Sequence, residues 1–398
     1  MAPESQQVTR NAVRTCIVGG GVHGTCVARA LREQGHTSAD IAVVDPNDGL
    51  LASFRRKARA CAMPALRSSF VQHLGSDPLG LQEFAVERGR ETELVGTVDY
   101  PARPSLSLFL DHAESVIERW SLDSVHRQAT VEGIERDSEC YRVDTTTGPI
   151  WADNTVLAIG QGGRYRYPDW AGTDGIVHVW DGFDPSVDGE TIVVGGGITA
   201  AHLACTLPER GSVTLLSRHP LDWEIAEAAP PWVTWSHIEA TLHSKPAGSK
   251  ARFETVQSAR HSPTIPPYLY HDLDTHLGEE TLTLEQGTVS RARNNSELSL
   301  ALVRNEQLTA DRVVLATGFE PVFDHPFVDR VADTLGLRRG YRGMPVLDDH
   351  TLAWEVTGGT PPQLYVTGAL ASGTVGPLAA NLAGARRASE RIGDAIEG

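Results

Sequence analysis

Two glycine-rich stretches carry the chemistry most directly readable in this chain. Gly19-Gly20-Gly21-Val22-His23-Gly24 follows the apolar run Thr15-Cys16-Ile17-Val18, and Gly195-Gly196-Gly197-Ile198-Thr199-Ala200 follows Thr191-Ile192-Val193-Val194. Each is a G-x-G-x-x-[G/A] turn set where a strand hands over to a helix, the pattern that receives a dinucleotide's pyrophosphate. Gly19 and Gly195 allow the tight turn, and Gly21 and Gly197 let backbone approach phosphate. Gly24 and Ala200 let the helix lie close on the sheet. The helix N-terminus adds unpaired N–H groups and the positive end of its dipole. About 20 residues past Gly24, Asp45 ends a second strand and is placed to accept hydrogen bonds from a ribose. In the second unit the matching strand, Val213-Thr214-Leu215-Leu216, ends in Ser217-Arg218-His219 instead. An acid repels a 2′-phosphate and an arginine pairs with one, so this unit prefers NADP over NAD. The plain alternative is that Arg218 is an ordinary solvated arginine.

The elements that must hold these turns follow from the same pattern. Thr25 to Gln34 reads as a helix with Ala28 and Leu31 on one face and Gly35 past its end; Ala201, Leu203, Ala204 and Leu207 mark the second. Three further strands end in small residues: Thr155 to Gly160, Asp311 to Phe319 through Thr317-Gly318, and Gln363 to Ala369 through Thr367-Gly368. Such ends suit places where backbone passes close to a cofactor or another domain. The Gly376-Pro377 turn then leads into an amphipathic helix read as Leu378 to Ile396.

Composition narrows the classes. Of 398 residues, 35 are Lys or Arg and 51 are Asp or Glu, a formal charge of −16, which disfavours phosphate backbones and anionic lipid. No apolar run reaches the ~18–20 residues of a membrane span. The opening Met1-Ala2-Pro3-Glu4-Ser5-Gln6-Gln7 has no signal-peptide core, so a cytoplasmic protein is expected. Partners are then a small-molecule substrate, with no nucleic acid, no membrane, and a homo-oligomer left open. The cysteines Cys16, Cys26, Cys61, Cys140 and Cys205 form no C-x-x-C and suggest reduced thiols rather than disulfides or a zinc site. Lys57, Lys245 and Lys250 are the only lysines.

Together these residues resemble the two-dinucleotide-binding-domain flavoproteins. The resemblance implies an α/β chain with two Rossmann-like domains in a glutathione-reductase-like architecture. An FAD domain from 1–168 and 306–398 is interrupted by an NADP domain at 169–305. It implies FAD on the first turn and NADPH on the second, with Gly160, Thr317, Gly318, Gly368, Gly376 and Pro377 as further cofactor-binding positions. The absent redox dithiol sets the disulfide reductases aside. Asp311 to Phe319 is similar to the D-x3-L-A-T-G-Y motif of the lysine/ornithine N-hydroxylase branch of class B flavin monooxygenases, with Phe319 for tyrosine. Leu66-Arg67-Ser68-Ser69-Phe70-Val71-Gln72-His73-Leu74 resembles that branch's M-Q-x-S-F-L-K-D-L stretch beside the flavin.

Departures accompany the likeness. Gln72 stands where those enzymes carry a lysine that grips the substrate carboxylate. Leu66-Arg67 replaces Met-Gln, and Arg260-His261-Ser262 answers an asparagine-rich N-Y-S segment. The F-x-G-x3-H hallmark of flavin monooxygenases is only echoed in Trp170, Gly172 and His178. The implied activity is oxygenation of a soft nucleophile through a C4a-hydroperoxyflavin formed after reduction by NADPH. The alternatives are a flavin reductase passing electrons to a quinone or protein, and a non-catalytic flavin-binding redox sensor. No catalytic side chain is assigned, because a flavin carries its own chemistry.

Remaining clusters have bland readings. His271, Asp274 and His276 could be imagined around a metal, yet histidines five apart do not share a helix face, and no metal is expected. Trp223 to Trp235, with Pro230-Pro231, reads as an insertion covering the cleft or a subunit contact. Arg55, Arg56, Arg59 and Arg67 are either a solvated face or a phosphate- or substrate-facing group, and His261 is read as a surface or core histidine.

Overall fold

The computed structural model describes residues 11–261, 263–295, 297–358 and 363–397. The polar start Met1 to Gln7 and Ser262 lie outside the described residues. Apolar, β-branched runs become strands buried on both faces, as in a parallel sheet covered by helices. In the first unit the sheet order is His126–Gln128, Ile41–Asp45, Ala12–Val18, Ile150–Leu157, Cys140–Thr145, Val131–Asp137. The first four strands are parallel, and the last two are antiparallel additions. Ile150–Leu157 is long enough to share one edge. Its first half pairs with Cys140–Thr145 and its second half, in parallel, with the late strand Leu364–Val366. That pairing brings the end of the chain back beside the first glycine turn.

The second unit is a five-stranded parallel sheet: Leu282–Gln286, Val213–Ser217, Thr191–Val194, Arg312–Leu315, Ile176–His178. An antiparallel meander of Val289–Asn294, Leu298–Leu302 and Gln307–Ala310 packs on it through Val289, Leu298, Leu300 and Leu302. By strand pairing, Gln307–Ala310 and Arg312–Leu315 belong to this second unit, so the return crossing follows Leu315 rather than residue 305. The acid opening the D-x3-L-A-T-G motif has a structural task here: Asp311 Oδ2 accepts the Glu190 N–H at 2.8 Å, joining two strand starts.

Both glycine-turn helices begin earlier than their apolar faces suggest, at Val22–Glu33 and Ile198–Thr206, because the turn itself is the first helical residue's N-cap. The closing helix starts later, at Leu382–Glu397. Leu378 to Asn381 instead forms an irregular turn, with Leu378 and Ala379 buried.

The insertion does not remain with the nicotinamide unit. Its Trp232, together with Ile238, Leu242 and Val256 from the helical stretch that follows it, packs against Leu378 of the first unit. Arg252, 1% exposed, is held there by a bidentate pair with Asp349 at 2.5 and 2.6 Å and by the Lys245 carbonyl at 2.9 Å. A guanidinium so buried is tolerable only with such complete pairing.

Five of the six buried histidines are held neutral by burial: His23, His73, His112, His178 and His202. His73 and His112 stack edge to face at 4.7 Å. Burial lowers His73 to about 3 and the other four to about 4, so all are neutral when folded. An unfolded histidine titrates near ~6.5, so the stability tied to these groups is complete above that pH. It is lost as pH falls from there through 4, where the unfolded chain binds more protons. Urea midpoints should fall steeply between pH 6.5 and 4, with each proton contributing up to about 1.4 kcal/mol per pH unit. A flat profile over that range would contradict the burial of these rings.

Candidate functional site

At the first turn, geometry separates the roles of the glycines. Gly19 has φ +111°, and a Cβ there would lie 2.4 Å from the Ala158 carbonyl oxygen; at Gly24 it would lie 1.8 Å from that of Gly19. Both positions are closed by the protein's own backbone. A Cβ on Gly21 would meet nothing within 4 Å, so this N-cap of Val22–Glu33 opens onto free space. That is the form a cradle for a pyrophosphate must have. Asp45 is buried at its strand end; its Oδ2 accepts the Gly20 N–H at 2.7 Å, and Oδ1 accepts the Asn47 backbone and side-chain N–H groups at 2.8 and 2.7 Å. The carboxylate is thereby fixed at the edge of the turn, where a ribose would reach it.

Gly160 and Gly368 converge on the same place. A Cβ on Gly368 (φ +79°) would come within 3.7 Å of Gly160 Cα and 3.8 Å of His23 Cδ2. His23 was not singled out by sequence reasoning, since it occupies a variable position of the fingerprint. Its Nδ1 lies 2.9 Å from Thr367 Oγ1, tying the first helix to the closing strand. The only available signal was a ring-bearing residue directly before Gly24, where the helix passes close to the sheet. Gly376 and Pro377 are buried, and a Cβ on Gly376 would lie 3.1 Å from the Trp232 ring. Gly376 thus packs beneath the inserted segment.

The second turn repeats the first with a small change. Gly195 faces the Ala316 carbonyl oxygen at 2.6 Å from its would-be Cβ, and Ala200 is fully buried, its methyl filling the helix–strand contact. Gly197 lies against Pro263, 3.4 Å from where its Cβ would be. This turn forms one wall of a cleft of ≈ 1770 Å³. Arg218 and His219 line one part of it, Thr317 and Gly318 another, and Arg67, Gln161 and Thr264 complete the wall. Arg218 is exposed and makes no ion pair among the described residues, so its charge is available to a phosphate.

The other arginines separate by partner. Arg55 pairs with Glu114, and Arg56 and Arg59 are exposed, which makes them a solvated face. Arg67 instead reaches across to the insertion. Its Nε donates to the Ile225 carbonyl at 3.2 Å, its Nη2 to the Glu224 carbonyl and to Thr264 Oγ1 at 2.9 Å, and Glu227 lies 4.0 Å away. It fastens the 66–74 loop to the segment above it. Gln72 is half-buried on that loop. His276 ties its helix to the helix Ile198–Thr206, its ring nitrogens near Thr281 Oγ1 and the Cys205 carbonyl, and no metal-binding group occurs among the described residues. Of the echoed hallmark, His178 is stacked on Tyr165 at 4.8 Å, whereas Trp170 lies along the cleft.

Four of the five cysteines are held as neutral thiols. Burial raises Cys16 and Cys205 to about 12 and Cys26 and Cys61 to about 11, so none of these is a thiolate at neutral pH.

Fold and turns together define an α/β chain of two Rossmann-like units, each with a glycine turn at a helix N-terminus. Residues 16–162 match a family model described as FAD-NAD(P)-binding. A CzcO-like oxidoreductase of Geobacillus kaustophilus, itself uncharacterized, is 24% identical over 260 residues, covering 62% of this chain and 67% of that protein. Among solved structures, the ornithine N-hydroxylase of Kutzneria sp. 744 superposes with a TM-score of 0.77 at 18% identity over 97% of this chain and 99% of that one. The cadaverine monooxygenase of Erwinia amylovora gives 0.72 at 18% identity, covering 96% and 94%. These likenesses establish the fold that the sequence resemblance implied. Among the described residues, no helix is long and apolar enough to cross a membrane.

Proposed function

We propose that this protein is an FAD- and NADPH-dependent oxidoreductase acting as a monooxygenase on a soft nucleophile such as an amine nitrogen. In this reading FAD lies on the Gly19–Gly24 turn, with Asp45 toward its ribose and Gly160 and Gly368 against its backbone. NADPH lies along the Gly195–Ala200 turn with its 2′-phosphate at Arg218. Bound flavin supplies the reaction with hydride acceptance from NADPH and the activation of O₂. The chain's own residues orient the two nucleotides and exclude water.

One observation carries the oxygenating reading. The inserted segment closes over the end of the first unit, with Trp232, Ile238 and Leu242 packed on Leu378 and Trp232 against Gly376. Such an apolar cover suits a site that must keep water out, since leakage yields H₂O₂ instead of product. The cysteine pattern supports it further, because no C-x-x-C pair is present for a dithiol relay of that kind to run through.

The test measures NADPH consumed, H₂O₂ released and product formed across primary amines, thioethers and ketones. A matching substrate should lower H₂O₂ per NADPH and give product in proportion. If a quinone or ferricyanide takes electrons much faster than O₂ and no compound is oxygenated, the protein is a reductase. If NADPH does not reduce the flavin at all, it is a sensor. With Gln72 in place of a substrate-gripping lysine, ornithine and lysine should neither speed NADPH oxidation nor acquire a hydroxyl. Stoichiometric hydroxylation of either would overturn that assignment of Gln72.

A further inference from the structure

Two crossings join the units, and they run against each other as a hinge. Arg166 N–H donates to the Gly318 carbonyl and Glu320 N–H to that of Arg164, both at 3.0 Å. Thr317 Oγ1 adds a bond to the Arg166 carbonyl at 2.5 Å. Gly160, Gly162, Gly163 and Gly318 all have positive φ, so these crossings bend at their most permissive residues. Backbone torsion alone leaves the angle between the units soft.

Lys57 enters this hinge from the first unit, on the helix Ala52–Ala60. Its Nζ lies 5.0 Å from the centroid of Phe319, 5.6 Å from Tyr165 and 5.7 Å from Trp180. Tyr165 belongs to the outgoing crossing and Phe319 to the returning one, and the two bridge each other. Trp180 follows the second unit's strand Ile176–His178 and stacks on Phe319 at 4.8 Å. One cation therefore touches both crossings and the second unit. No acid among the described residues answers it; burial and the neighbouring Arg56 lower its pKa. In a chain with only three lysines, a partly buried lysine whose neighbours are rings rather than carboxylates is placed by its cation–π contacts.

We propose that Lys57 is a positioning residue, a clamp that fixes the angle between the two dinucleotide-binding units. This rests on the reading that electrons pass from a nucleotide on the second unit to one on the first. Transfer between them requires reacting atoms about 3–3.5 Å apart, and a small rotation at the hinge is enlarged at that distance from it.

The experiment compares Lys57→Met, which keeps length and removes charge, with Lys57→Arg, which keeps charge. FAD-loaded protein is mixed with NADPH under anaerobic conditions, and hydrogen exchange of 160–168 and 316–320 is followed in parallel. Lys57→Met should slow flavin reduction about three- to thirtyfold, the range of a partly desolvated cation–π contact. The NADPH dissociation constant and FAD content should stay within about twofold of the parent, exchange in the crossings should rise, and Lys57→Arg should restore most of both. Unchanged exchange together with an unchanged reduction rate would overturn the clamp. So would a loss of FAD, or of NADPH affinity, in place of the loss of rate. If NADPH fails to reduce the parent protein, the functional reading fails by itself, and hydrogen exchange in the Lys57 variants still decides whether the clamp exists.

Discussion

Replacing Gly21 by valine is expected to give a folded, colourless protein. The φ of −73° and ψ of −170° at this residue are open to any side chain, so the substitution imposes no backbone strain. The protein also offers no atom within 4 Å to collide with the new Cβ. What the valine occupies is the space in front of the helix N-terminus, where a pyrophosphate must come within hydrogen-bonding distance of backbone N–H groups. Losing those bonds should cost about 3 kcal/mol or more, roughly a hundredfold in FAD affinity. Gly24→Ala is the contrasting control: its methyl would be driven to 1.8 Å from the Gly19 carbonyl oxygen, so helix and turn must separate and stability should fall. Measured by flavin absorbance and thermal midpoint, the first variant should lose flavin and keep its fold, and the second should lose its fold. Full flavin content in Gly21→Val would remove FAD from this turn.

The second large effect is expected at Arg218. It is exposed beside the cleft, free of ion pairs among the described residues, so Arg218→Ala should leave stability within ~0.5 kcal/mol. Its bond to a 2′-phosphate would be charge-assisted, worth roughly 1.5–3 kcal/mol. NADPH binding should therefore weaken about ten- to a hundredfold, while NADH, which has no such phosphate, should change little. Dissociation constants for the two nucleotides, taken by titration of the loaded protein, decide the matter. An equal loss for both would make Arg218 a structural residue and place the 2′-phosphate elsewhere.

Much of this architecture was legible in the chain because it is local. A glycine turn between an apolar run and an amphipathic helix is specified within about 30 residues. Both units, their order, and the tight-turn and close-packing positions Gly19, Gly24, Gly195 and Ala200 could be read that way. So could the small-residue strand ends at Gly160, Gly318 and Gly368. Element ends were less legible. The closing helix begins at Leu382 and not Leu378, because amphipathic periodicity continues through a partly buried turn that is not helical.

What only the tertiary structure decided are contacts between residues far apart in sequence. Pairing across the second sheet assigned Gln307–Ala310 and Arg312–Leu315 to that unit. Side-chain packing turned Gly376 toward Trp232 and joined His23 to Thr367 across 344 positions. Arg67, one of four similar arginines along the chain, became a fastening to Glu224, Ile225 and Thr264 while Arg55 went to Glu114. Nothing near Lys57 in sequence announces three rings from residues 165, 180 and 319. Backbone turns are written in short-range steric and hydrogen-bonding preferences, which a sequence displays directly. The partner of a long, flexible charged side chain is settled only when the chain folds and leaves it one place where its charge is met.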